Sequence, residues 1–191
     1  MTEPRGVSGG AESGRRAAGH GVSSQALTEA LAEHAAGVTL VAIADGRDDI
    51  AVTVSAFCPV SLDPPLILVA LRAESYPAEV LARPGGPAGF AVTLLAAGQR
   101  VLAGRFAAAG RPGARLLLDD VPRIRGPRSG ALIPEGGLAA LDCQTSAMTP
   151  AGDHVLVLGR VTDIPYVGNC GQPLVRFRGR YPALEPGHSL G

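Results

Sequence analysis

Residues 38–57 read VTLVAIADGRDDIAVTVSAF, and the fold turns on this stretch. VTLVAIA (38–44) is an unbroken apolar run, too short for a helix, and it predicts a buried strand. Asp45-Gly46-Arg47-Asp48-Asp49 has the composition of a turn. IAVTVSAF (50–57) then alternates, with Ile50, Val52 and Val54 on one face and Ala51, Thr53 and Ser55 on the other. Two strands joined by so short a turn pair antiparallel.

The same reading extends outward. Before the pair, Ser23-Ser24-Gln25 precedes LTEALAEHAAG, with Leu27, Ala30, Leu31 and His34 at helical spacing, so a helix is expected over about 24–36. After it, Pro64-Pro65 ends any helix or central strand, and LILVAL (66–71) is a third strand. A short helix follows from about 77 to 83, with Pro77 suited to its first turn. GFAVTLLA (89–96) is a strand, and residues 99–106 make a helical turn or two. LAALDCQTSAMT (138–149) and HVLVLGRVTDI (154–164) form a hairpin around Pro150-Ala151-Gly152-Asp153, and residues 173–177 are a last short strand. Residues 107–135, rich in Arg, Gly and Pro, have no clear period. Strands in adjacent pairs with few helices predict a mainly β fold, an antiparallel barrel with peripheral helices. Residues 1–21 and 186–191 are expected to be tails around one domain over 22–185.

Composition narrows the chemistry. Of 191 residues, 46% are hydrophobic and 18% charged, which suits a packed core. Gly (26) and Pro (16) favour turns over long helices. The 17 basic residues are all Arg, so lysine Schiff bases, Ser-Lys dyads and a phosphate-loop lysine are excluded. Net charge is zero, which argues against a sequence-independent nucleic-acid binder. Arg clusters at 111–128 and 176–180 read either as solvated loop charge or as an anion site for a phosphorylated small molecule. Cys58, Cys143 and Cys170 are too far apart for a zinc knuckle, and His20, His34, His154 and His188 are scattered, so no metal site is expected. The N-terminal residues lack an apolar signal core and no window reaches 18 apolar residues. A cytoplasmic chain with reduced thiols and no membrane span is the expectation.

No G-x-G-x-x-G opens a helix, and H-E-x-x-H is absent. Two stretches carry chemistry. Thr53-Val54-Ser55-Ala56-Phe57 with Val60-Ser61-Leu62-Asp63-Pro64-Pro65 offers strand hydroxyls and amides beside a bend, a shallow site for a flat heteroaromatic ring. Gly152-Asp153-His154 puts an imidazole at a hairpin tip, where it would touch a ring or a phosphate.

In order and spacing these residues resemble the flavin reductase family with the FMN-binding split-barrel fold. The resemblance runs over roughly residues 24–184. It starts with Ala36-Gly37-Val38-Thr39-Leu40-Val41 and passes through the two stretches above and Leu102-Ala103-Gly104-Arg105-Phe106-Ala107. It ends with Gly152-Asp153-His154, Gly159-Arg160-Val161 and Gly179-Arg180-Tyr181. It implies a homodimer of six-stranded antiparallel Greek-key barrels. It implies an NAD(P)H:flavin oxidoreductase that uses FAD, ahead of FMN, with NADH or NADPH. Reduced flavin would diffuse to a partner flavin-dependent monooxygenase of secondary metabolism or aromatic catabolism. Thr53, Val54, Ser55, Ala56, Phe57, Val60 and Ser61 would line the flavin ring. Ser75 and Tyr76 would lie by its phosphate, and Arg105, Phe106 and Ala107 by the phosphate or adenine. His154, Asp153 and Tyr181 would meet the nicotinamide. No general base is implied, because hydride passes directly between the cofactors.

The chain departs from the family at Glu74-Ser75-Tyr76-Pro77, where a basic or small residue and Thr are common. Glu74 would repel a phosphate, which points to weakly held, exchangeable flavin or a pose shifted toward FAD. Two other readings of the same barrel are a non-catalytic flavin-binding module and a flavoenzyme that oxidises an organic substrate with tightly bound flavin.

Overall fold

In the computed structural model, residues 21–184 are described, except 47, 109, 169 and 170. The expected tails, apart from Gly21, lie outside them, as do Cys170, His20 and His188.

Helix α1 (Ser24–Ala32) is capped by Ser23, whose hydroxyl accepts from the Ala26 amide. β1 (Ala36–Gly37), β2 (Thr39–Ile43), β3 (Ile50–Val54), β4 (Phe57–Leu62) and β5 (Pro65–Arg72) follow. Then come α2 (Tyr76–Ala82), β6 (Gly89–Leu94), a 3-10 turn (Ala97–Gln99), α3 (Arg100–Ala107) and α4 (Ala114–Leu117). β7 (Arg123–Arg125), β8 (Leu132–Pro134), β9 (Ala139–Ala151), β10 (His154–Val167) and β11 (Val175–Arg176) complete the order.

The main sheet is antiparallel, in the order β3-β2-β6-β9-β10-β5-β4. Its end strands, β3 and β4, are consecutive in the chain and joined only by Ser55 and Ala56. Three Cα steps of about 3.8 Å cannot hold the ends apart, so the sheet must curl until its edges meet. This is the split-barrel class, with seven paired strands where six were expected. The strand expected over 50–57 stops at Val54, and the bend at 55–56 starts a separate strand. β4 runs through Pro59 because it is an edge strand, where a missing N–H is tolerated, and its register shifts between Pro59 and Ser61.

β2 is buried along its whole length. Leu40 and Ala42 pack with Phe106, Leu118 and Ile133 beneath the helices. Val41 and Ile43 pack inside the curl with Val69, Phe90 and Val157. β3 keeps the expected alternation: Ile50 and Val54 enter the inner core and Ala51 the outer one. Gly159 on β10 sits against Phe90, and a Cβ there would meet the Phe90 ring at 2.6 Å. Gly159→Val is therefore expected to destabilise by about 1–3 kcal/mol, read from the shift of the urea midpoint.

The segment expected to be irregular is ordered by charge. Asp49, 1% exposed, accepts from Arg115 (Nε, 2.8 Å) and Arg125 (Nη2, 2.9 Å). Burial alone would raise its pKa. The hydrogen bonds and charges of Arg125 and Arg115 outweigh that and hold it below the usual carboxylate value. Arg105, on α3, binds both oxygens of Asp120 at 2.6 and 2.9 Å and ties down the far side of α4.

Candidate functional site

A groove of about 660 Å³ opens where β3 ends. Val52, Thr53, Val54, Ser55 and Ala56 form one wall, with Ala70 to Arg72 from the end of β5 beside them. Ser75 and Pro77 at the start of α2 close one side. Phe106, Ala107 and Ala108 at the end of α3 close another, and Arg111 follows them. His154, Arg176 and Tyr181 complete the rim. The groove exists because β3 is exposed beyond its last pair while its apolar face stays in the core.

The hairpin tip delivers His154. β9 and β10 turn through two residues, Gly152 and Asp153, with Gly152 at φ 65, a value suited to a two-residue hairpin. His154 then pairs with Arg72 across β5 and β10, and the Ala73 amide donates to the Asp153 carbonyl. Its Nδ1 lies 2.8 Å from Asp153 Oδ1. That contact and the imidazole charge hold the Asp153 carboxyl below its ordinary pKa. Asp153 itself is exposed and orients the ring from outside the groove.

Thus Thr53, Val54, Ser55, Ala56, Ser75, Phe106, Ala107, His154 and Tyr181 come together from five separate parts of the chain. The remaining expected residues lie elsewhere. Phe57 lines a second cavity of about 610 Å³ that shares Ser55 and Ala56 with the first and reaches Leu31 and His34 near α1. Val60 and Ser61 sit on the edge strand β4, Val60 half exposed. The Tyr76 hydroxyl donates to Asp45 Oδ2 at 2.9 Å. Arg105 is held by Asp120. The Ser75 hydroxyl donates to the Arg72 carbonyl at 2.7 Å and accepts from the Ala78 amide, so its proton is taken by Arg72 while its oxygen caps α2.

Sequence reasoning missed Arg72, Arg111 and Arg176. Among the described residues the lining holds these three cations and His154 and no carboxylate. Glu74, expected to repel a phosphate, is exposed and outside the lining. The signal was present as the Arg clusters at 111–128 and 176–180. The structure sorts them: Arg115 and Arg125 clasp Asp49, and Arg178 binds Glu33 at 2.6 Å. Arg111 and Arg176 are left facing the groove.

Among the described residues no group of three His, Cys, Asp or Glu side chains is placed to hold a metal ion, and no helix is long and apolar enough to cross a membrane. Cys58 is exposed and Cys143 buried; burial first, then the charge of Asp142, pushes the Cys143 thiol up to about 12. Iodoacetamide at pH 8 is therefore expected to label Cys58 in the native protein and Cys143 only in denaturant, as mapped by peptide mass.

Residues 31–185 match the family model of the flavin reductase like domain. The chain belongs to that family. Over 149 residues, 78% of each chain, it is 37% identical to the NADH-dependent FMN reductase AsuE2 of Streptomyces nodosus subsp. asukaensis. Over 160 residues it is 37% identical to the reductase component of 4-hydroxyphenylacetate 3-monooxygenase from Thermus thermophilus, covering 84% of this chain and 96% of that one. Its fold superposes with a TM-score of 0.78 on BorF, the flavin reductase component of a bacterial two-component tryptophan halogenase, at 31% identity, covering 86% of this chain and all of the other.

Proposed function

We propose that the groove between β3, α2, α3 and the His154 hairpin binds a flavin and a nicotinamide dinucleotide, FAD or FMN with NADH or NADPH, and that the protein is an NAD(P)H:flavin oxidoreductase. The single observation that carries the site is the convergence of Thr53–Ala56, Phe106–Ala107 and His154 on one cationic groove without a carboxylate. Half-buried strand walls suit a flat ring, and the guanidinium groups suit a phosphorylated ligand.

When both are bound, the two cofactors supply the hydride-transfer chemistry themselves. The chain's own residues position and shield. Thr53 and Ser55, with the backbone of the β3 end, would offer hydrogen bonds to the flavin ring. His154, steadied by Asp153, would orient the nicotinamide. Phe106, fully buried at the end of α3, backs the groove with a packed apolar side chain. No side chain has to accept or give a proton for this transfer.

Reduced flavin leaves for a separate flavin-dependent monooxygenase in the cytoplasm. The open groove and the names of the relatives support that reading. Two copies of the chain pair through α1 and β4. Leu27 (51% exposed) and Leu31 (60%) on α1, and Val60 and Leu62 on β4, leave an apolar surface uncovered by the single chain. The test is a titration of purified protein with FAD and FMN under NADH or NADPH. Turnover that depends on added flavin supports the reading. Flavin binding without turnover with either nicotinamide leaves a binding module, and bound flavin that survives gel filtration and oxidises an organic compound leaves an oxidase.

A further inference from the structure

Arg111 lies just beyond the end of α3, on the groove wall, half-buried. Its Nε and Nη2 donate to the Ala51 carbonyl at 3.1 and 2.9 Å, and its Nη1 donates to the Ala108 carbonyl at 3.2 Å. A guanidinium has five N–H donors, so two remain, one on each terminal nitrogen. Every partner named is a neutral carbonyl. Among the described residues no carboxylate pairs with Arg111, whereas Arg105, Arg115, Arg125 and Arg178 all have one. Burial lowers its pKa with no compensating acid. A half-buried cation fixed by three hydrogen bonds and left without a counter-charge is costly unless a ligand supplies one. The groove supplies two further cations on its rim, Arg72 and Arg176. The hydroxyl and guanidinium groups that the resemblance offered for a phosphate are already engaged, Ser75 by the Arg72 carbonyl, Tyr76 by Asp45 and Arg105 by Asp120.

We propose that Arg111 is the phosphate anchor of the groove: its two unused N–H groups take a phosphate oxygen of a bound cofactor, and it thereby selects phosphorylated ligands over their dephosphorylated forms. This rests on the groove being the cofactor site. The fixed fork suits two oxygens of one phosphate, where a lysine would act only as a point charge. Its attachment to β3 through Ala51 ties the anchor to the strand that carries Thr53 and leads into Ser55.

The test compares wild type with Arg111→Gln and Arg111→Lys. Binding of riboflavin, FMN and FAD is followed by quenching of flavin fluorescence, and binding of NADH by its own emission. In Arg111→Gln, FMN and FAD are expected to bind about tenfold or more weakly while riboflavin is unchanged. If NADH alone weakens, the anchored phosphate belongs to the dinucleotide and the anchor stands. Equal weakening of riboflavin and FMN, or no weakening of any ligand, overturns the proposal. Should Arg111→Gln fail to fold, Arg111→Lys and wild type decide by competition. Pyrophosphate is then expected to displace FMN and not riboflavin from wild type, and to do so less well from Arg111→Lys; identical competition in both proteins overturns it. If wild type binds no flavin at all, the cofactor reading of the groove fails, which is a different result from an indifferent Arg111.

Discussion

Asp49→Asn is expected to lower the free energy of unfolding by about 3 kcal/mol at pH 7, the low end for breaking a buried ion pair. The carboxylate is 1% exposed, but its arginines are about half exposed, so the uncovered charges regain part of their hydration. Asn keeps the size and one acceptor, which separates charge from packing. The pH dependence gives an independent check. The folded pKa of Asp49 is depressed, so its stabilising contribution is complete above the unfolded carboxylate value of about 3.9. It is lost as pH falls through the lower folded value. The gap between wild type and Asp49→Asn in urea melts is therefore constant from pH 7 to 5 and shrinks below about pH 4. A gap that persists unchanged into acid would mean that shape, not charge, holds the 111–125 segment to the barrel.

The second large effect is expected at Ser55. This residue is half-buried on the two-residue link between β3 and β4, and it lines both cavities. Ser55→Trp fills the space beside Thr53 on the β3 side of the groove. It is expected to raise the Michaelis constant for flavin and to lower kcat/KM for flavin by about 100-fold, with a smaller change in the constant for NADH. His154→Ala should show the reverse split, because the imidazole stands at the hairpin tip and not on the β3 wall. Equal effects of both changes on both constants would mean that the two sides of the groove do not serve separate ligands.

Much of this was legible from local pattern. The continuous apolar run before Asp45 became a strand buried on both faces, and alternation after Asp49 put Thr53 and Ser55 on the groove side. The hairpin and His154 at its tip followed from turn chemistry, but the turn expected over Pro150–Asp153 tightens to Gly152-Asp153 because Pro150 and Ala151 stay paired with β10. What could not be read was set by distance along the chain. Arg111, Arg115 and Arg125 look alike in sequence. Only a carboxylate more than sixty residues away, Asp49, decides that the latter two are structural and leaves Arg111 to the groove. The same reason hid α4, β7 and β8, whose order comes from that clasp and from packing on Leu40 and Phe106 rather than from a period of their own. Tyr76 and Arg105 were placed by resemblance near a phosphate. Their partners, Asp45 and Asp120, lie 31 and 15 residues away along the chain, so neighbours in sequence gave no hint of them.

The most direct measurement is the rate of NADH and NADPH oxidation by purified protein with FAD, with FMN and with no added flavin. Turnover that appears only when flavin is added, and that falls in Ser55→Trp, is the predicted result. No oxidation of either nicotinamide with either flavin, by protein that is folded, would contradict the reductase account.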